Sequence, residues 1–72
     1  MPLVEIRGVE GYLSLEQKQE LIEKVTDAVV SVEGENVRPV TWVIVEDVAS
    51  GQWGVGGEPI TTERFKRIAA GG

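Results

Sequence analysis

The period of the apolar residues changes twice along this chain, and that change constrains the fold more than any single residue does. Residues 2 to 7, Pro-Leu-Val-Glu-Ile-Arg, are a short run rich in branched apolar side chains, bounded by Gly8 and Gly11, which is the pattern of a strand. Pro2 suits its start, because the first residue of a strand need not donate to the ladder. From Ser14 the period lengthens. Leu21, Ile22, Val25, Ala28, Val29 and Val32 recur at spacings of one, three and four, the stripe of an amphipathic helix. Ser14 with Gln17 makes a capping box at its start, Glu20 and Lys24 form an i,i+4 pair, and Gly34 stops it. After the connector Glu35-Asn36-Val37-Arg38-Pro39 comes a second apolar run, Val40-Thr41-Trp42-Val43-Ile44-Val45, with apolar residues on both faces, so both faces should be covered.

Strand, helix and strand with one long crossover make a right-handed βαβ unit with parallel strands. Residues 51 to 57, Gly-Gln-Trp-Gly-Val-Gly-Gly, then place four glycines in seven positions, which predicts a tight turn or short hairpin. Thr61 to Ala70 could close the chain as a short helix. The expected fold is therefore α/β, in the wider sense α+β: a single βαβ protomer with a C-terminal short hairpin, residues 1 to 72 forming one domain.

A chain of 72 residues hides only about 60% of the surface its unfolded form exposes, and folds this small usually rely on a disulfide, a metal or a partner subunit. Cysteine and histidine are both absent. That removes disulfides, thiolate nucleophiles, imidazole acid/base chemistry and nearly every zinc or transition-metal site. Self-association is the remaining support. Seven Lys and Arg against twelve Asp and Glu give a net charge of -5, so the chain lacks the basic surface that nucleic acid requires. No apolar run approaches the ~20 residues that span a bilayer, and no basic-then-apolar leader opens the chain, which leads us to expect a cytoplasmic protein. The glycine cluster lacks the Gly-Lys-Ser/Thr ending of a phosphate loop.

With His and Cys gone, the available bases are carboxylates, lysines, Tyr12 and the α-amino group. Position 2 decides which matters. A small residue after the initiator Met generally permits its removal, leaving Pro2 with a free secondary amine. An unperturbed α-amino group titrates at about 7.7 to 8.0, and apolar surroundings lower that by disfavouring the charged form. Were Met1 retained, the Pro2 nitrogen would be an amide without a basic lone pair. Pro2 alone also fits a simple strand start.

Taken together, Pro2 to Ile6, Glu10-Gly11, Glu16-Gln17-Lys18, the 3.6-period helix, Val43-Ile44-Val45-Glu46 and Gly51-Gln52-Trp53-Gly54-Val55-Gly56-Gly57 resemble the 4-oxalocrotonate tautomerase family over about residues 2 to 58. Most specific is the second-position proline paired with the Gly-x-aromatic-Gly-x-Gly-Gly segment. The resemblance implies a βαβ protomer that shares its sheet with a partner, three such dimers forming a homohexamer. It also implies an amino-terminal proline that moves a proton between oxygen and carbon of a small enol or α-keto acid, without metal or organic cofactor. Carried over, Pro2 is the general acid/base and Trp53 matches the pocket aromatic, an apolar ring that keeps the amine desolvated.

The chain departs from the family at two arginines that clamp dicarboxylic substrates, one just after the glycine following the first strand and one in the second strand. Tyr12 and Trp42 stand there, and neither can bind a carboxylate bidentately or stabilise developing enolate charge. Three aromatics, Tyr12, Trp42 and Trp53, at the mouth would favour a more apolar substrate such as an arylpyruvate enol. Trp42 serves equally as core or subunit interface. Arg38, four residues before Trp42, is the nearest cation to the vacated second-strand place and could hold a substrate carboxylate, or be a solvated loop arginine. Glu33, Glu35, Glu46 and Asp47 read as solvated surface, and Arg64, Lys66 and Arg67 as the wet face of a terminal helix. Absence of both arginines would also suit a non-catalytic oligomeric scaffold of the same fold.

Overall fold

Helix α1, Leu15–Glu33, forms where the stripe and its caps place it. Ser14 Oγ accepts from the Gln17 amide at 3.1 Å, and Gln17 Oε1 accepts from the Ser14 amide at 2.9 Å, so two orphan donors of the first turn are satisfied reciprocally. Lys24 Nζ lies 2.9 Å from Glu20. At the far end Gly34 adopts φ +104°, a conformation that suits glycine, and its amide donates to the Val30 carbonyl at 2.8 Å. These features belong to a computed structural model that describes residues 1–71.

Around α1 the chain runs β1 (Leu3–Val9), α1, a 3₁₀ turn (Glu35–Val40), β2 (Trp42–Val48), β3 (Trp53–Val55), β4 (Glu58–Ile60) and α2 (Thr62–Ala69). Strands β1 and β2 are parallel in a register from Leu3↔Trp42 to Val9↔Val48, and β3 and β4 are antiparallel. The βαβ unit, the short hairpin and the closing helix are those expected; three boundaries differ. Gly8, read as a stop, lies inside β1, because opposite Asp47 the ladder needs only its backbone. Strand β2 starts two residues late because Val37 to Thr41 are drawn into the 3₁₀ turn: the Thr41 amide donates to the Arg38 carbonyl and its hydroxyl to the Val37 carbonyl at 2.8 Å. It then continues through Glu46 and Asp47, the latter held by Lys18 of α1 at 2.6 Å.

Side chains alternate across a strand, so Val43 and Val45 turn toward α1 while Trp42 and Ile44 turn away. On the α1 side Val30 is 6% exposed, the most buried apolar residue described. The opposite face is bare over its first half: Leu3 is 56% and Trp42 58% exposed. Only the far half of that face is roofed, by the hairpin and α2. The expectation that both faces are covered is therefore not met within one chain. Its Cα radius of gyration is 14.8 Å, against about 11 Å for a compact domain of this length. No described helix is long and apolar enough to cross a membrane.

Candidate functional site

Pro2 is half-buried just ahead of β1, and its carbonyl accepts from the Trp42 amide at 3.0 Å. That bond fixes Pro2 to the start of β2, beside the exposed Leu3 and Trp42 side chains.

The other end of β1 is different. A two-residue turn at Gly56 and Gly57, with φ +61° and +85°, folds β3 back on β4, a geometry of the type I′ hairpin that glycine enters without steric cost. Trp53 pairs with Ile60 across that hairpin. Thr61 caps α2, its Oγ1 accepting from the Arg64 amide at 3.2 Å. The buried Thr62 ties α2 down, its hydroxyl donating to the Glu10 carbonyl at 2.9 Å and its amide to Ser50 Oγ at 3.0 Å. The hairpin and α2 thereby roof the end of β1 over an open cavity of about 330 Å³ lined by Arg7, Val9, Trp53, Ile60, Phe65 and Ile68, among others. Trp53 is half-buried, and its Nε1 is shut from solvent with no acceptor among the described residues.

Six residue steps of about 3.3 Å separate the ends of β1, some 20 Å, so Pro2 and Trp53 stand apart within one chain. Trp42 stays with Pro2. Tyr12 stands at the α2 end, edge-on to Phe65 with ring centroids 4.8 Å apart. Arg38 is engaged on α1 and its own turn: its guanidinium lies 2.8 Å from Asp27 and 2.6 Å from Glu35. Hydrogen bonds to Glu35 and then Asp27 push its pKa above the ordinary arginine value. To hold a substrate, Arg38 would exchange these partners for it.

Sequence reasoning missed Arg7, Phe65 and Ile68. Arg7 had a signal, since it alternates with Leu3 and Glu5 onto the face away from α1. Phe65 and Ile68, three apart on α2, form a stripe too short to be separated from a solvated terminal helix by period alone.

A family model described as "Tautomerase enzyme" matches residues 2–63. A curated relative named "Probable tautomerase K2", from Dickeya dadantii, is 41% identical over 64 residues, covering 89% of this chain and 94% of its own length. Among solved structures, the crystal structure of DmpI from Helicobacter pylori is similar with a TM-score of 0.73 at 39% identity, over 82% of this chain and 95% of that one. A structure from work on the 4-oxalocrotonate tautomerase isozymes of Methylibium petroleiphilum aligns with a TM-score of 0.70 at 32% identity, over 89% and 97% of the two chains.

Proposed function

Given that this chain belongs to the tautomerase family and is a 4-oxalocrotonate tautomerase-like isomerase, we propose that it ketonises a small enol acid carrying one carboxylate, with Pro2 as general base and acid once Met1 is removed. The observation that carries this reading is the apolar setting of both halves of the site: Pro2 lies half-buried beside Leu3 and Trp42, and Trp53 forms a wall of a cavity lined almost wholly by apolar side chains. Apolar surroundings disfavour the charged amine and keep it ready to accept a proton. The amine takes the enol hydroxyl proton, the electron pair moves through the carbon–carbon double bond, and the ammonium returns the proton to the far carbon of that bond. One O–H bond and one C–H bond are exchanged, with no change of oxidation state and no cofactor required.

Because Pro2 lies ahead of β1 and the cavity beside Trp53 lines up with the strand's far end in one chain, the reaction requires Pro2 of one copy to meet the cavity of another. Copies that cover the bare Leu3, Trp42 and Ile44 strip would also supply the apolar burial that a 72-residue chain lacks. The homohexamer of three dimers implied by the resemblance meets both needs, as a cytoplasmic assembly. Trp42 lies at that contact near Pro2, and Tyr12 behind the cavity through Phe65. With Tyr12 and Trp42 at the places of the family's arginines, a dianion finds no clamp there, and a singly charged arylpyruvate enol is the better match.

The test is ketonisation of phenylenolpyruvate followed by ultraviolet absorbance, on protein whose intact mass shows Met1 gone. Pro2→Ala should lower the rate at least about a hundredfold, the scale of general acid–base catalysis, while elution volume stays that of the unaltered oligomer. The rate should also fall as acid protonates the amine. Undiminished activity in Pro2→Ala would refute the reading.

A further inference from the structure

We propose that Arg7 is the carboxylate-binding residue of the cavity under α2, and that this cavity takes a small monocarboxylic acid with an aromatic or branched apolar body. The proposal rests on the reading above for what becomes of the bound acid, but not for the binding itself.

Most cations of the chain are occupied. Lys18 pairs with Asp47, Lys24 with Glu20, Arg38 with Asp27 and Glu35, and Arg64 with Glu58. Arg7 forms no ion pair among the described residues, although Glu46 is its register partner on β2. It is also the one charged side chain on the cavity wall; Lys66 and Arg67 lie on α2 outside the lining. Arg7 thus lines an otherwise apolar space with no ion-pair partner among the described residues, and the planar fork of a guanidinium matches the two oxygens of a carboxylate.

The ligand class follows from volume and charge. A cavity of about 330 Å³ lies at the small end of the range for small-molecule sites, room for a single ring or branched chain with a short acid. A net charge of -5 repels anions over most of the surface, so an acid needs a local cation. One guanidinium neutralises one carboxylate. A second acid group would be stripped of water among Val9, Ile60, Phe65 and Ile68 with nothing to pair it. Trp53 lines the same space, and its Nε1 is buried without an acceptor among the described residues.

Calorimetric titration of the full chain, Met1 removed, with phenylacetate tests this, since phenylacetate has the ring and the single carboxylate but no enol to turn over. Saturable binding is expected, weakened at least about tenfold in Arg7→Gln, the usual scale for losing a charge-assisted hydrogen bond. Lys24→Gln, on the far side of α1, should leave it unchanged, and neutral phenylacetamide and dianionic benzylmalonate should bind more weakly. Arg7→Lys, which keeps the charge and loses the fork, should lie between, and it carries the test should Arg7→Gln fail to fold by circular dichroism. Absence of phenylacetate binding, equal affinity for phenylacetamide, or full affinity in the folded Arg7→Gln protein would each overturn the proposal. Pro2→Ala separates it from the catalytic reading: that variant should bind phenylacetate normally while losing turnover. Turnover that needs Pro2 but binding that ignores Arg7 overturns this proposal alone, and the reverse pattern overturns only the role of Pro2.

Discussion

At its N-terminal end β1 presents Pro2, Leu3 and the neighbouring Trp42 on a sheet face that no described residue covers; at its C-terminal end the same face is roofed by the hairpin and α2 around a cavity lined by Arg7 and Trp53. One strand thus carries the candidate base at one end and, at the other, a pocket whose lining does not include that base. The cause is local. Two positive-φ glycines let the hairpin turn back, and Thr62 pins α2 to Glu10, so the chain can close one end of the sheet. The other end stays open among the described residues. The difference teaches that for so short a chain the open half of the core and the open half of the proposed site are one deficiency, which the proposed assembly would meet with another copy.

The sharpest way to break this comparison is to spoil the bare end. Trp42→Glu places a charge among Leu3, Trp42 and Ile44, where a buried unpaired carboxylate is strongly unfavourable. It should dissociate the assembly in analytical ultracentrifugation and abolish turnover with it. A variant that stays fully assembled and active would mean that this strip is not a contact. Arg38→Gln should do least. Both carboxylates it meets are exposed, Asp27 at 57% and Glu35 at 74% of the side chain, and pairs in such settings contribute little. Its raised pKa means that the stabilisation is full below the ordinary arginine range and is lost only as pH climbs through the raised value. Thermal melts from neutral to moderately alkaline pH should therefore show no step that Arg38→Gln removes. A large rise in KM in that variant, with stability unchanged, would move Arg38 from a turn anchor to a substrate ligand.

How far the sequence disclosed this arrangement depends on whether the signal was local. The bounds of helix α1 were readable because Ser14, Gln17, Gly34 and the apolar period agree with one another within a few residues, but its inward face was not: Val32 of the stripe is 87% exposed, while Val30, outside it, is the most buried apolar residue described. Gly8 misled because the penalty for glycine in a strand is a tendency that a parallel ladder overrides. The start of β2 was misplaced because the 3₁₀ turn depends on bonds by Thr41 that look back along the chain, while Val40 and Thr41 themselves look like strand. In the candidate site, Pro2 and Trp53 were legible through their pairing in one pattern. Arg7 was not, since alternation tells which face a residue takes but not which end of that face will be roofed. Phe65 and Ile68 become pocket walls only through the tertiary anchor at Thr62.

The most direct measurement of whether base and cavity belong to different copies is subunit mixing. Pro2→Ala chains and Arg7→Gln chains, each with little turnover of phenylenolpyruvate on its own, would be unfolded together in equal amounts, refolded and assayed. If a site takes Pro2 from one copy and the cavity from another, about a quarter of the sites in random mixed oligomers are intact, and activity should return to roughly that fraction of the unaltered protein. Activity no greater than the mean of the two separately refolded variants would contradict a site shared between copies.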